Sequence, residues 1–420
     1  MPFYLPENPD YTILDSLRDS VRFVTEVSLT QYRGHACAKS TFLDPNGEVM
    51  HWHDFGDLEG PGWAANSVGG AVELIRYARY DARPDVEQAA LSLLDHTLTA
   101  GFVEWDTGFI WPYRHTVRDE LCLNFKHGSE WLCPGSMARV AQQMLAAADL
   151  VNQHRADALT RAALGWLEWY HQHVQPTAAG WVPRRCTPTG AHHTAAAEGG
   201  SDPFFETSGD GIFVLMLLED VTRRGLVDCS AELARLCHLF VSAGGFFASV
   251  NHDTYDAHES VAYALAFRAL LRAGRTLGRP ELAQFAYERC LAPLARFRME
   301  EDRNGVATQG LLWMEESWDT AYLWENAEVA AAYVDAYADR RDPAHLRDAV
   351  TILRAMGRHH HGPHGFLTEG VDWNNHVGQE HHVNGAMYGD INYTEPLLNN
   401  LHLAEPTLDV LQRYPEAMEL

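Results

Sequence analysis

One pattern constrains the fold of this chain more than any other. Two helix-length periodic segments joined by a tight turn are followed by a long irregular loop, and the unit returns along nearly all of the 420 residues. A 3.6-residue apolar period predicts helices near 62–80 and 82–100, 134–151 and 155–173, 208–224 and 229–243, 257–275 and 279–297, and 318–339 and 343–358. A further helix is predicted within 11–29. A last one starts at Glu395, with Thr394 as cap and Pro396 in its first turn. Three second helices open alike: ARPDVEQAALSLL at 82, GRPELAQFAYERC at 278 and RDPAHLRDAVTIL at 341. Each places proline near the first helical position, where its missing N–H costs little. The turns before them are short, so the two helices of a pair are antiparallel neighbours. The first helices are small and apolar (AVELIRYA, DGIFVLMLLE, VAYALAFRALL), which suits an inner layer. A helix pair cannot bury its apolar face alone, whereas five or six stacked pairs can, as an open solenoid or a closed ring. The long loops all follow the second helix and so fall on one face, which favours the ring.

Composition narrows the partners. Hydrophobic residues make up 46% of the chain, enough for a large core, and no Ser/Gly/Pro linker or charge run divides it. One domain spanning 1–420 is therefore expected. The net charge of −25 disfavours nucleic acid and anionic membranes as partners. Seven cysteines without a CxxC pair fit buried thiols in a reducing compartment. No apolar run reaches the ~18 residues of a membrane span. The opening MPFYLPENPDYTILD lacks the basic and apolar regions of a signal peptide, so a cytoplasmic protein is expected, and a homo-oligomer is compatible with these features.

A ring of six inner and six outer helices resembles the (α/α)6 toroid shared by many sugar-active enzymes. The fold class expected is thus all-α, an (α/α)6 barrel with long loops on one face. The resemblance covers nearly the whole chain but rests on architecture. The chain departs from the acylglucosamine epimerase branch, because Asp256-Ala257-His258-Glu259 does not match the spaced His and Glu motif expected there on an inner helix. It also lacks the Cys, Cys and His zinc ligands of the lanthionine-cyclase type of toroid.

In such a toroid the loops entering the inner helices converge on a central cavity. DPFFETSGDG brings Asp202, Glu206 and Asp210, with Ser208 as a helix cap; the simple alternative is that the acids only complement the helix N-terminus. NHDTYDAHES brings Asn251, His252, Tyr255, His258 and Glu259. Histidine and tyrosine offer a base and an acid of different intrinsic pKa. Toroidal polysaccharide lyases use similar Asn, His and Tyr sets, which Asn251-His252 and Asn374-Asn375-His376 resemble. WMEESWDTAYLWEN brings Glu315, Glu316, Trp318, Asp319, Trp324 and Glu325. Indole faces pack on pyranose C–H surfaces while carboxylates bind hydroxyls.

The densest stretch is Val371 to Glu395. It gathers His376, His381, His382, Tyr388, Asp390, Tyr393 and Glu395, interleaved with Asn374, Asn375, Asn384, Trp373 and Met387. Such non-periodic, titratable stretches are where sites are often built. GWVPRR adds Arg184. Arg114, His115, Arg118, Lys126, His127 and Glu130 are read as a solvated loop. The histidines show no HExxH or comparable spacing, so no metal is assigned, and neither GxGxxG nor GxxxxGK[ST] marks a phosphate cradle, so no cofactor is assigned.

These residues point to a carbohydrate-active enzyme using general acid–base chemistry on a small saccharide. Hydrolysis of a glycosidic bond comes first, with Glu316 or Asp319 facing Asp210 or Asp390 across it, roughly 6.5–9.5 Å apart if the enzyme inverts. A lyase or sugar epimerase using His252, Tyr255 and Tyr388 is the alternative. Glu206, Asn251, His258, Trp318, Asn375, His376, His381, His382, Tyr393 and Arg184 are the candidate substrate-binding residues. An isomerase or dehydratase of an apolar alcohol, and a non-catalytic helical scaffold, complete the range of readings.

Overall fold

The computed structural model describes residues 10–40, 42–43, 49–50, 56–125, 128–194, 205–244, 249–250, 258–314, 320–361, 365–374, 389–391 and 398–415. Six helices form an inner ring: α2 (Ser67–Tyr80), α4 (Pro134–Ala148), α6 (Ile212–Arg223), α8 (Ser260–Thr276), α10 (Leu323–Arg340) and α12 (Ala404–Arg413). Each packs on the next, and α12 packs back on α2, so the ring closes. Outside lie α3 (Pro84–Thr99), α5 (Gln153–His173), α7 (Ser230–Ser242), α9 (Pro280–Phe285) and α11 (Pro343–Met356), each against the inner helix it follows. The sixth outer position belongs to α1 (Ile13–Phe23), which packs on α12 and so ties the start of the chain to its last helix. This is the (α/α)6 toroid expected from the repeat.

The prolines act as the sequence predicts. Pro84, Pro280 and Pro343 all sit in the first turn of an outer helix, where no N–H is needed. Asp342 adds a cap by accepting from the Ala344 amide. Past Phe285 the chain stays helical but widens over Ala286–Leu291 and tightens over Ala292–Phe297, where Pro293 has no N–H to donate to the preceding turn. Two helix starts differ from expectation. The first inner helix begins at Ser67 rather than Gly62, because Asn66 takes a left-handed conformation with φ of 46° that ends any helix upstream. The last inner helix begins at Ala404, after a single turn over Leu398–Leu401. Pro406 lies in its first turn, so a longer helix running through it would lose a backbone bond. Thr394 to Pro396 lie outside the described residues.

One face of the ring carries the long loops, and short strands stiffen them. Thr320–Tyr322, Gly370–Asp372 and Gly389–Ile391 form an antiparallel sheet with the middle segment at its centre. Ala321 and Asp390 both pair with Val371. The stretch after Val371, irregular by sequence, thus begins and resumes as strand. A second sheet joins Leu58–Glu59, Tyr113–His115 and Glu120–Cys122. It overturns the reading of Arg114 and His115 as a solvated loop: both are buried in it. Arg114 is held by Asp119 at 2.7 Å and lies 3.8 Å from the buried Glu59, partners that a buried cation requires.

None of the seven cysteines forms a disulfide, and six are buried. Among the described residues no helix is long and apolar enough to cross a membrane, and no three His, Cys, Asp or Glu side chains gather as metal ligands.

Candidate active site

The inner helices enclose a cavity of about 320 Å³ on the ring axis. Its wall is made by charged and amide side chains that break the apolar pattern of these helices: Glu73 and Arg76 on α2, Arg139 and Gln143 on α4, Arg268 on α8, Glu328 on α10, Glu405 on α12, and His402 just before α12. Burying such charges is costly unless each finds its counter-charge, and the helices supply close ones for the arginines and for Glu328 and Glu405. Arg268, only 2% exposed, donates to Glu328 at 2.8 Å, to Asp335 at 2.9 Å and to Glu405. Arg139 donates to the other oxygen of Glu328 at 2.9 Å. Arg76 holds Asp409 at 2.7 Å.

Glu328 is the hub. Burial opposes its ionisation, but Arg139, His402 and Arg268 outweigh this and hold its carboxyl well below the usual range. His402 Nδ1 lies 3.6 Å from Glu328 Oε1, a charge contact slightly longer than a good hydrogen bond. The His402 ring also lies 5.8 Å from that of Trp324. Its Nε2, buried at the cavity wall, makes no hydrogen bond, and neither does Gln143 Oε1. Buried polar atoms are ordinarily bonded, so two unpaired ones on one cavity wall are free to bond a polar ligand.

Gly69 permits this wall. A Cβ there would stand 2.2 Å from Gln143 Nε2 and 2.4 Å from Asn66 Oδ1, so only glycine lets both amides press against α2.

Glu73 is the opposite of Glu328. Burial pushes its pKa up to about 7; Arg76 opposes this, while Glu405 and Asp409 add to it. Its nearest cation, Arg76, stands 3.5 Å away and is better engaged by Asp409. Asp409 is itself raised, chiefly by burial and then by Glu405, against the pull of Arg76.

The residues singled out from sequence fall elsewhere or outside the description. His252, Tyr255, Asn251, Glu316, Trp318, Asp319, Asn375, His376, His381, His382, Tyr388 and Tyr393 lie outside the described residues, and of Asp390 only the backbone is described, in its strand. Asp210 is buried in the turn before α6, bonded by Ser208 Oγ at 2.5 Å. The buried Arg184 and Arg185 and the Cys133 thiol stand near it, and that thiol is pushed up by burial and then by Asp210. Gly135 of α4 abuts the same turn, where a Cβ would meet the Asp210 carbonyl at 2.2 Å. Asp210 and Arg184 are thus brought together, between α4 and α6, but do not line the axial cavity.

Glu206 is exposed and accepts from the Ala179 amide at 3.1 Å. His258 Nδ1 meets the Tyr263 hydroxyl at 2.7 Å, and Arg296 lies over the Tyr263 ring. Tyr263 packs on Phe297, and Phe267, one turn on, packs on Tyr287, so this face of α8 looks to the outer helix, away from the axial Arg268. His258 therefore sits at the seam between the two layers.

Sequence reasoning looked to the loops and passed over the axis. The signal was present: Glu73 and Arg76 in AVELIRYA and Arg268 in VAYALAFRALL are charges inside otherwise apolar helices, and such residues are almost never fully buried without a partner.

No protein-family model matches the chain, and no curated protein matches it by sequence. Solved structures do match. A sugar epimerase from a ruminal bacterium superposes with a TM-score of 0.67 at 12% identity, covering 96% of this chain and 98% of its own. The cellobiose 2-epimerase of Bacillus thermoamylovorans B4167 gives 0.65 at 10% identity over 94% and 98%. An unsaturated glucuronyl hydrolase from Bacillus sp. GL1 gives 0.51 at 12% identity over 96% of each chain. The toroid is shared with these enzymes.

Proposed function

We propose that the axial cavity is the active site of a sugar-active enzyme that moves protons on the open-chain form of a reducing sugar, by epimerisation or aldose–ketose isomerisation. The observation that carries this reading is His402: its Nδ1 stands against the ionised Glu328, Trp324 lies beside the ring, and Nε2 is unpaired at the cavity wall. Imidazole is the commonest proton carrier in general acid–base catalysis, and a carboxylate on one nitrogen fixes the orientation of the other. In its neutral form, Nε2 takes the proton from C2, next to the C1 carbonyl, and the electron pair becomes the C1–C2 double bond of an enediolate whose charge rests on O1. Return of the proton to C1, with the O2 hydroxyl proton passing to O1, gives the ketose. Return to C2, after the enediolate has turned about its C2–C3 bond, gives the epimer.

Gln143 and Asn66 line the cavity and supply amides for hydroxyl groups. A volume near 320 Å³ is at the small end of ligand pockets and suits a sugar of one or two rings. The likeness to the sugar epimerase and the cellobiose 2-epimerase supports the same reading.

The test is incubation with D-glucose, D-mannose and cellobiose in heavy water, followed by proton NMR. Loss of the C2 proton signal with appearance of an epimer or ketose is expected. No exchange and no new sugar across the panel would reject it.

Glycosidic hydrolysis is the second reading. One observation favours it: the strand Thr320–Tyr322, which directly follows Asp319 in sequence, and the strand holding Asp390 flank Gly370–Asp372 in one sheet on the loop face. Release of new reducing ends from oligosaccharides, without deuterium exchange, would favour this reading over the first.

A further inference from the structure

Glu73 is the cavity's other group suited to proton transfer, and nothing in the reading of His402 uses it. It lies on α2, about two turns below Asn66, and lines the cavity with Arg76, while His402 enters just before α12. The groups that face it can be named from each side. Arg76 lies on its own helix, Arg139 reaches it from α4, and Glu405 and Asp409 from α12. The cations among them are committed: Arg139 to Glu328 at 2.9 Å, and Arg76 to Asp409 at 2.7 Å against 3.5 Å to Glu73. Glu73 thus faces two other carboxylates, and its nearest guanidinium, Arg76, stands 3.5 Å away and is better engaged by Asp409. A carboxyl so placed keeps its proton more readily than the ion-paired Glu328 or Glu405, both of which are held below the usual range.

From this geometry we infer that Glu73 is the second catalytic group of the axial site, the carboxyl that protonates the sugar oxygen while His402 works on carbon. The inference rests on the reading of the cavity as a proton-transfer site. The step balances without a co-reactant. As the C2–H bond breaks and its proton passes to His402 Nε2, the C1–C2 double bond forms, and O1 takes the proton of the Glu73 carboxyl. In the second half-reaction Glu73 takes a proton back, from O1 for the epimer or from O2 for the ketose, as His402 returns its own to C2 or C1 respectively. A carboxylic acid kept neutral near pH 7 by its surroundings is suited to this donation. Loss of its proton at higher pH ends the donation, so activity falls as Glu73 ionises.

Two measurements on the intact protein test the inference. The first needs no substrate: infrared difference titration of wild type against Glu73→Gln. A protonated-carboxyl band in wild type that disappears across neutral pH and is missing from the variant is expected. If the wild-type band already vanishes in the ordinary carboxylate range, or is unchanged in Glu73→Gln, Glu73 is not the proton-holding acid and the inference is overturned.

The second is the pH profile of kcat/KM for D-mannose, D-glucose or cellobiose, whichever turns over. Glu73→Gln is expected to lose turnover by ~10²-fold or more, to keep KM within a few-fold, and to lose the alkaline limb near neutrality. Glu73→Asp is expected to restore part of kcat and the limb with it. Wild-type turnover and limb in Glu73→Gln, alongside an inactive His402→Ala, would overturn the role of Glu73 while leaving the site intact. Full activity in His402→Ala as well would overturn the site itself.

Discussion

His402 Nδ1 stands 3.6 Å from Glu328 Oε1, and the same carboxylate is gripped by Arg139 on one oxygen and Arg268 on the other. The glutamate is thereby locked as an anion, and the imidazole beside it is oriented by a group that cannot swing away. Three inner helices (α4, α8 and α10) contribute to this one arrangement, so the precision of the site comes from ring closure rather than from any loop.

That relationship sets the first expectation. His402→Ala should lower turnover by ~10²-fold or more and leave the melting temperature within a few degrees, because His402 Nε2 bonds nothing in the fold. Steady-state kinetics and a thermal melt on one preparation check both halves. A large loss of stability with normal turnover would assign His402 to packing alone.

Arg268 should behave in the reverse way. It is 2% exposed and neutralises Glu328, Asp335 and Glu405 together. Arg268→Leu leaves the buried Glu328 and the part-buried Asp335 and Glu405 short of a partner, and breaking a buried pair typically costs about 3–5 kcal/mol. Denaturant unfolding should show that loss at neutral pH. It should shrink as the pH is lowered and the stranded carboxyls become protonated.

Glu73 gives stability a pH dependence of known sign. Its carboxyl ordinarily titrates near 4.5 and burial pushes it up to about 7 in the folded chain. Between those values the native state binds the proton more firmly than the unfolded chain. Stability from this group is therefore fully present below about pH 4.5 and declines as pH rises toward 7. The shift corresponds to about 3 kcal/mol. Glu73→Gln should remove this slope, so the variant gains on wild type as pH rises from 4.5 to 7.5. Unfolding free energies of the two proteins at several pH values measure it, and parallel curves would show that Glu73 titrates normally.

Gly69→Ala tests the wall rather than the chemistry. The added methyl meets Gln143 Nε2 at 2.2 Å and Asn66 Oδ1 at 2.4 Å, so both amides must move. Both are the ends of side chains that can turn aside, so stability should change little. KM should rise, since the displaced amides are those offered to the sugar. An unchanged KM would remove Gln143 and Asn66 from the binding role.

The toroid was legible because it is written in local signals. The prolines of ARPDVEQ, GRPELAQ and RDPAHLR fix three helix starts, and the period of AVELIRYA or VAYALAFRALL fixes inner helices, each within a dozen residues of chain. The axial site was not legible in that way. Glu73, Arg139, Arg268, Glu328 and Glu405 lie on five different helices, and what makes each tolerable is a counter-charge from another helix. Arg268 and Glu405 are separated by 137 positions, and no period links them. Arg114 was misread for the same reason: its burial depends on pairing with Glu59 across a sheet whose strands are far apart in sequence. Conversely, the density of histidines after Val371 drew attention to the loop face, although the described imidazole that meets the cavity is the isolated His402.

The two readings of function part company at a pair of substitutions. Asp390 lies in the strand that pairs with Gly370–Asp372 on the loop face, whereas His402 lies at the axial cavity. If proton transfer on an open-chain sugar is the reaction, His402→Asn removes the base and should nearly abolish C2 exchange, because an amide cannot take up the proton. Asp390→Asn should then leave exchange within a few-fold of wild type. If hydrolysis is the reaction, Asp390→Asn removes one of two essential carboxylates and should nearly abolish release of reducing ends, with the melting temperature kept within a few degrees. A structural Asp390 would instead lose ~1–3 kcal/mol of stability if a buried hydrogen bond were broken, while the folded fraction kept its turnover. Deuterium exchange, reducing-end release and thermal melts on the two variants and wild type thus separate the axial base from the loop-face acid, and either from a residue that only holds the fold.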